Sequence, residues 1–395
     1  MGMQATAGLF VGTACAAKHQ APSRRVVIAV VSPLTGPLAA SGLGIAHSVH
    51  LAVVQANWSE AVPGIEFEVK AYDDQGSAGR GRDIAEKLIG RPEVIGVVGP
   101  LNSHVAFLMQ PLLKDAQLAL VSPANTHPAL TQGENWLSGK AVRRSESYFR
   151  TVATDAAHGP FAARHVHRDP RKKRVLVLDD RGPYGATLAT TFADEFRRLG
   201  GTVAGRWNFR LGDRSFPGLV DQLAEVEADL VYLGAEHPEC AALIKALKEY
   251  DSHLALMGGD AVYDPAYIET AGDAAEGDYV TSVGVPLDRL PSADVFKAEY
   301  HVVGYDEPPG PYGAYAYDGA MAIVEAVKVV TAQNAEKLPK APRAAISRAL
   351  NEVAFTGATG PVSFNSFGDS ANQQLTIYQV QKGRWSPLES GTYQE

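Results

Sequence analysis

The stretch VIGVVGPLNSHVAFLMQPLLKDAQLALVSPANTHPALT, running from Val94 to Thr131, decides how this chain is read. Its first apolar run, Val94 to Val98, ends in Gly99-Pro100 and a small polar patch, Asn102-Ser103. Val105, Leu108, Met109, Leu112 and Leu113 then recur at spacings of three and four, which predicts a helix with one apolar face. A second apolar run, Leu118 to Val121, ends in Ser122-Pro123-Ala124-Asn125-Thr126. The order is strand, helix, strand: a βαβ unit in which both strands finish in small hydroxylated residues. Ligands of open parallel α/β sheets bind beyond the carboxyl ends of the strands, where helix N-termini present free N–H groups that favour anions. Ser103 and Thr126 are therefore expected as neighbours on one rim, both placed to hold a carboxylate.

The same order extends in both directions. Val26 to Val31 is a continuous apolar run, as expected for a parallel strand covered on both faces. After a break at Ser32-Pro33-Leu34-Thr35-Gly36-Pro37, residues Leu43, Ala46, Val49 and Val53 mark a helix, and Ile65 to Ala71 reads as the next strand. Ser145 to Thr151 carries the chain across to a second sheet, whose strands are expected at Val175–Leu178, Thr202–Phe209, Asp229–Leu233 and Leu254–Met257, each followed by a helix except where a turn intervenes. Tyr279 to Val283 leads to a second crossover near Pro286. Helices over Ala293–Val303, Pro311–Val330 and Ala341–Leu350 follow, then two alternating strands, Val362–Phe364 and Leu375–Val380, with Gly368-Asp369 in the turn between them. Strand-then-helix alternation in both halves predicts an α/β fold with parallel sheets.

Bulk properties narrow the function. With 395 residues and 46% hydrophobic content, the chain can fill two cores. A net charge of −8 argues against a general nucleic-acid binder, and the basic run HRDPRKKR at His167–Arg174 reads as a solvated loop. Only Cys15 and Cys240 are present, so neither a disulfide framework nor a cysteine-rich zinc site is possible. The small, uncharged run from Ala5 to Ala14 ahead of Cys15 is similar to the tail of a bacterial lipoprotein signal, although Gly12 stands where a large aliphatic is usual. Export is expected, with Cys15 as the lipidation site and residues 1–25 as signal and tether.

Several motifs dissolve on inspection. Gly42-x-Gly44 lacks its third glycine, because His47 stands there, so no dinucleotide fingerprint is read. Asp73-Asp74 is explained by a strand-to-helix turn. His47, His50, His104 and His127 show no metal-ligand spacing, so no metal and no cofactor is expected. There is no P-loop and no nucleophile elbow, and Ser122 with His127 or Asp260 makes a triad only on paper. An enzyme is not expected.

The chain is similar to the bacterial solute-binding proteins of branched-chain amino acid ABC transporters, the leucine/isoleucine/valine-binding type. The resemblance covers Val26 to about Val380. It rests on Ser32-x-x-Thr35-Gly36-Pro37, Tyr72-Asp73-Asp74, Gly99-Pro100-x-x-Ser103, Ser122-Pro123-Ala124-x-Thr126-x-Pro128-x-Leu130-Thr131 and Tyr184-Gly185. Ala271-Gly272-Asp273-Ala274-Ala275-Glu276-Gly277, Tyr317-Asp318 and Phe355-x-Gly357-x-x-Gly360-Pro361 complete it; each is weak alone, but the order and spacing are specific. It implies two Rossmann-like lobes joined by a three-segment hinge, closing on ligand. The lobes would be residues 26–145 with 283–358, and 146–282 with 359–388. A monomer is implied, periplasmic or anchored to the outer face of the cell membrane, with a small-molecule ligand and the permease and ATPase subunits of an importer as partners.

Roles follow by position. The resemblance implies that Ser103 and Thr126 hold an α-carboxylate, that the Ala124 carbonyl receives the ammonium, and that Tyr184 closes over the ligand from the second lobe. Asp260 would pair with the ammonium, one methylene shorter than the family's acid. Asn102 and Ser41 complete the expected site. Ser41 and Ala314 fall near positions where the family often has an aromatic wall, and Glu236 where its best-known members carry tyrosine. Fewer aromatic walls and a second carboxylate suit a polar ligand, with a cationic end as one option. Two placements stay open for Glu236, into the cleft or into solvent beside it. A regulatory sensor of amides or amino acids on the same fold is the alternative function, opposed by the export-like N-terminus and by the lack of a DNA-binding helix-turn-helix ahead of Val26.

Overall fold

A computed structural model describes residues 24–250 and 252–393. The first lobe opens with β1 (Arg24–Ser32), α1 (Ala39–Trp58), β2 (Ile65–Asp73), α2 (Ala78–Ile89), β3 (Val94–Val98), α3 (Ser103–Asp115), β4 (Ala119–Ser122), the short α4 (Ala129–Gln132) and β5 (Tyr148–Arg150). These strands make one parallel sheet in the order β2-β1-β3-β4-β5. The second lobe continues with α5 (Asp155–Arg168), β6 (Arg174–Asp179), α6 (Pro183–Arg198), β7 (Thr202–Asn208), α7 (Pro217–Ala224), β8 (Leu230–Gly234), α8 (His237–Glu249), β9 (Ala255–Gly258), α9 (Pro265–Ala271) and β10 (Tyr279–Val283). The chain then returns to the first lobe with α10 (Asp294–Val303), α11 (Gly313–Gln333) and α12 (Arg343–Ala349), and pairs β11 (Ala354–Gly357) with β12 (Gly360–Ser363) as a hairpin. It ends with β13 (Gln374–Gln381) and β14 (Arg384–Thr392), which join the second sheet in the order β14-β13-β10-β9-β8-β6-β7.

Alternation along each central strand explains the layering. Ile28, Val30, Val98 and Val121 face α1 and α11, packing with Ile45, Val49 and Ile323. The intervening Val27, Ala29, Val31 and Val97 face α2 and α3, packing with Ile84, Val105 and Met109. In the second lobe Leu176, Leu178, Val231 and Leu233 lie against α8, while Val175, Val177, Leu230 and Tyr232 lie against α6. Full burial of each such side chain contributes roughly 1.5–3 kcal/mol, so two-sided strands anchor each lobe. Strand order reverses between β1 and β3 in one sheet and between β6 and β8 in the other, which opens a crevice at those carboxyl ends.

Three details differ from expectation. β5 pairs with β4, so residues 148–150 belong to the first sheet and the chain crosses between Arg150 and Asp155, beyond the boundary expected at 145. Val362–Phe364 and Leu375–Val380 are not partners: β12 pairs with β11, and Phe364 packs in the first lobe's core, so the last crossing follows residue 364. Asp369, expected in an open turn, is instead buried against Arg150, and β13 takes β14 as its antiparallel partner, a strand the sequence reading did not contain. A tail-pairing strand of mixed polarity, RWSPLESGT, carries no alternation strong enough to announce it. The export and lipidation expectation at Cys15 falls outside the described residues.

Candidate functional site

A cleft lies where the two sets of strand ends meet, its void about 540 Å³ when the open solvent at its mouth is counted in. The first lobe contributes Leu38 and Ser41 after β1, Leu101 to His104 after β3, Ala124 after β4, and Tyr312 ahead of α11. The second contributes Asp180, Gly182 and Tyr184 after β6, Leu211 after β7, Glu236 and His237 after β8, and Asp260 and Ala261 after β9.

On the first lobe α3 presents its N-terminus to the cavity. Ser103 is its first residue and is buried, and the first-turn N–H groups of a helix have no partner within it. The chain reaches this point through Gly99, where φ is +122° and an added Cβ would stand 2.0 Å from the Val31 carbonyl oxygen, so only glycine fits. The neighbouring Ser122–Thr131 loop is held from behind. Ser122 Oγ donates to Pro100 O (3.1 Å) and accepts from the Asn125 N–H (2.9 Å), which occupies the hydroxyl in turn formation. Arg150, fully buried, donates to Asn125 O (2.7 Å), His127 O (3.0 Å) and Thr131 Oγ1 (2.7 Å), and pairs with Asp369 at 2.8 Å.

On the second lobe Asp260 is the focus. It is buried and accepts from Tyr184 Oη at 3.0 Å and from Tyr312 Oη of the opposite lobe at 2.8 Å. His158 Nδ1 lies 3.8 Å away, and burial lowers its pKa, leaving a neutral ring. Burial and the Asp260 charge push both tyrosines well above the usual phenol range, so they stay protonated as donors. Tyr184 is brought in by a close approach of backbones: a Cβ on Gly185 would meet Gly234 O at 2.2 Å.

The remaining acids line the same wall. Glu236 faces the cleft and accepts from Asn102 Nδ2 across it, which decides between its two open placements. Burial first, then the charges of Glu239 and Asp180, push its carboxyl up to about 8, against the pull of Asn102 and Arg214. Asp180 is pushed up to about 7 by burial, opposed by the Gly182 N–H at 2.7 Å, with Glu239 and Asp179 adding to the rise. A third cross-lobe bond runs from Ser41 Oγ to Asp264 Oδ2 at 2.9 Å.

Ser41, Asn102, Ser103, Ala124, Tyr184, Glu236 and Asp260 all line the cavity. Thr126 does not: it is 1% exposed, its carbonyl accepts the Asp155 N–H at 2.9 Å, and its hydroxyl lies by the Asp155 carboxyl. Ala314 also turns away, packing with Leu51 and Phe296, and the aromatic wall comes from Tyr312 two residues earlier. The pocket is thus less stripped of aromatics than expected. Tyr312, Asp180 and His237 escaped the sequence reading. Repeated tyrosines at 312, 315 and 317 mark that segment, but no spacing tells which one faces the cleft.

Among the described residues no group of three or more His, Cys, Asp or Glu could hold a metal ion, and no helix is long and apolar enough to cross a membrane.

The comparisons with known proteins point one way. A Leu/Ile/Val-binding protein of Rhizobium johnstonii is 28% identical over 361 residues, 91% of this chain and 92% of that protein. A leucine-, isoleucine-, valine-, threonine- and alanine-binding protein of Pseudomonas aeruginosa is 27% identical over 387 residues, 96% of this chain and 97% of that protein. Among solved structures, a leucine-binding protein of Thermotoga maritima superposes with a TM-score of 0.80 at 24% identity, covering 92% of this chain and 98% of that one. A solute-binding protein of R. palustris in complex with 4-hydroxybenzoate superposes with a TM-score of 0.79 at 20% identity, covering 93% and 97%. With the periplasmic binding protein family model matching residues 25–384, and two parallel α/β lobes meeting at one cleft, this chain belongs to that family.

Proposed function

We propose that this chain is the extracytoplasmic solute-binding component of an ABC importer and captures an amino acid by closing its lobes. One observation carries the ligand class: the N-terminus of α3 at Ser103 and the carboxylate of Asp260 face one cavity from opposite lobes. A helix N-terminus suits the α-carboxylate, and Asp260, aligned by two tyrosine donors, suits the α-ammonium, with the Ala124 carbonyl beside it. Ligand that contacts both lobes stabilises the closed form alone, so capture is a population shift. The names of the relatives, which bind leucine, isoleucine, valine and other amino acids, support the class.

Partners in this reading are the permease and ATPase subunits of the importer, and the binding protein acts as a monomer. Acylation of Cys15 would anchor it at the outer face of the membrane; intact-mass measurement of the membrane fraction tests that. For the function, calorimetry with the twenty amino acids is the direct test. Binding of at least one, weakened tenfold or more by Ser103→Ala and by Asp260→Asn, is expected. Absence of binding to any α-amino acid would sink the reading.

A further inference from the structure

We infer that the cleft wall formed by Glu236, Asp180 and Asn102 takes a second, cationic nitrogen of the ligand, so that the solute is a basic amino acid. This rests on the amino acid reading above and narrows it. The argument starts from topology. Asp260, Glu236 and Asp180 follow the carboxyl ends of β9, β8 and β6, which are consecutive neighbours in the second sheet. Adjacent strands lie about 4.8 Å apart, so the strand ends that carry Glu236 and Asp180 lie roughly 5 and 10 Å from the one that carries Asp260. That is the span between the two nitrogens of ornithine, lysine or arginine. A ligand whose ammonium sits on Asp260 and whose carboxylate sits at α3 would direct its side chain along this row.

The wall has no cation of its own. Among the described residues, no Lys or Arg lines the cavity; Arg214, the basic group that acts on Glu236, is exposed in the loop before α7. Glu239, buried on the first turn of α8, adds a further carboxyl behind the row, with Oε1 accepting from the Gly212 N–H at 3.0 Å and Oε2 unpartnered. Asn102 lines the cavity, is only 6% exposed, and gives its amide N–H to Glu236, yet its Oδ1 has no partner. A ligand nitrogen carrying several N–H groups would donate to the cavity-lining carboxyls of Glu236 and Asp180 together. Leucine or valine would instead leave the two cavity-lining carboxyls of Glu236 and Asp180 facing a methyl group.

The test is calorimetry of the purified chain with ornithine, lysine, arginine, leucine, putrescine and citrulline, the last being the side-chain-uncharged counterpart of arginine. Arginine or another basic amino acid is expected to bind at least tenfold more tightly than citrulline and leucine. Glu236→Gln should reduce affinity for the basic ligand tenfold or more and bring the arginine-to-citrulline ratio near one; Asp180→Asn serves as the second variant if that one does not fold. If leucine or citrulline binds as tightly as every basic amino acid, and Glu236→Gln leaves that unchanged, the inference is overturned while amino acid capture stands. If putrescine binds in a Glu236-dependent way and no amino acid does, the amino acid reading falls and the cation-binding wall survives.

Discussion

Tyr312 Oη stands 2.8 Å from Asp260 Oδ2, and the two residues belong to different lobes. The bond joins the segment ahead of α11 to the turn after β9, so it exists only when the cleft is shut. With the Tyr184 hydroxyl on Oδ1, it also fixes the orientation of the carboxylate. Removing the hydroxyl therefore affects the closed form and leaves each lobe's core untouched.

Tyr312→Phe is expected to weaken ligand binding by about tenfold, the equivalent of one hydrogen bond to a charged group. The melting temperature of the free protein should shift little. A matched fall in free-protein stability and affinity would mean that Tyr312 supports the fold rather than closure.

Arg150→Ala strands the Asp369 carboxylate, only 2% exposed, and frees the loop carrying Ala124. Loss of one partner from a buried ion pair costs on the order of 3–5 kcal/mol. Thermal unfolding should show this, and Arg150→Ala combined with Asp369→Ala should cost less than the two single changes added together. Strict additivity would contradict the pairing.

The acid wall makes stability fall with rising pH. Unfolded carboxyls titrate near about 4, whereas Glu236 and Asp180 titrate near about 8 and about 7 in the folded chain. Between those values the native state binds more protons than the unfolded state, so stability is greatest below about pH 4–5 for these groups and declines as pH rises toward 7–8. Other groups superimpose their own slopes, so the comparison is between proteins. Glu236→Gln should flatten the decline in melting temperature between pH 5 and pH 8, and a parallel pair of curves would refute the assignment.

Gly185→Ala places a methyl 2.2 Å from Gly234 O and 2.4 Å from Asp180 Oδ1. The first is backbone, so α6 must shift away from β8 and carry Tyr184 with it. Overpacking of this kind costs typically 1–3 kcal/mol. Affinity should fall together with stability, and an unaltered affinity would show that Tyr184 does not depend on this contact.

Much of the site was legible from strand ends. Ala124 and Asp260 each lie two places beyond a strand, so they emerge at the sheet's carboxyl edge, whereas Ser103, five places beyond β3, is brought there as the first residue of α3. Thr126 lies four places beyond β4 and turned inward, because the loop bends under Arg150's hydrogen bonds from β5, a partner with no sequence proximity. Tyr312 precedes a helix rather than following a strand, so no periodicity aims it. β14 and the Arg150–Asp369 pair were invisible for a related reason: both depend on contacts between segments far apart in the chain.

The sequence by itself determined the two parallel α/β lobes, since apolar runs of β-branched residues and helical spacings are local signals that burial on both faces demands. It also determined which loops could carry a site. Only the tertiary structure decided that Glu236 faces the cleft, that Asp260 is shared by tyrosines of both lobes, and that three acidic residues follow three adjacent strands. Those facts come from strand order and lobe approach, which bring together residues separated by dozens of positions, and no local pattern encodes that distance.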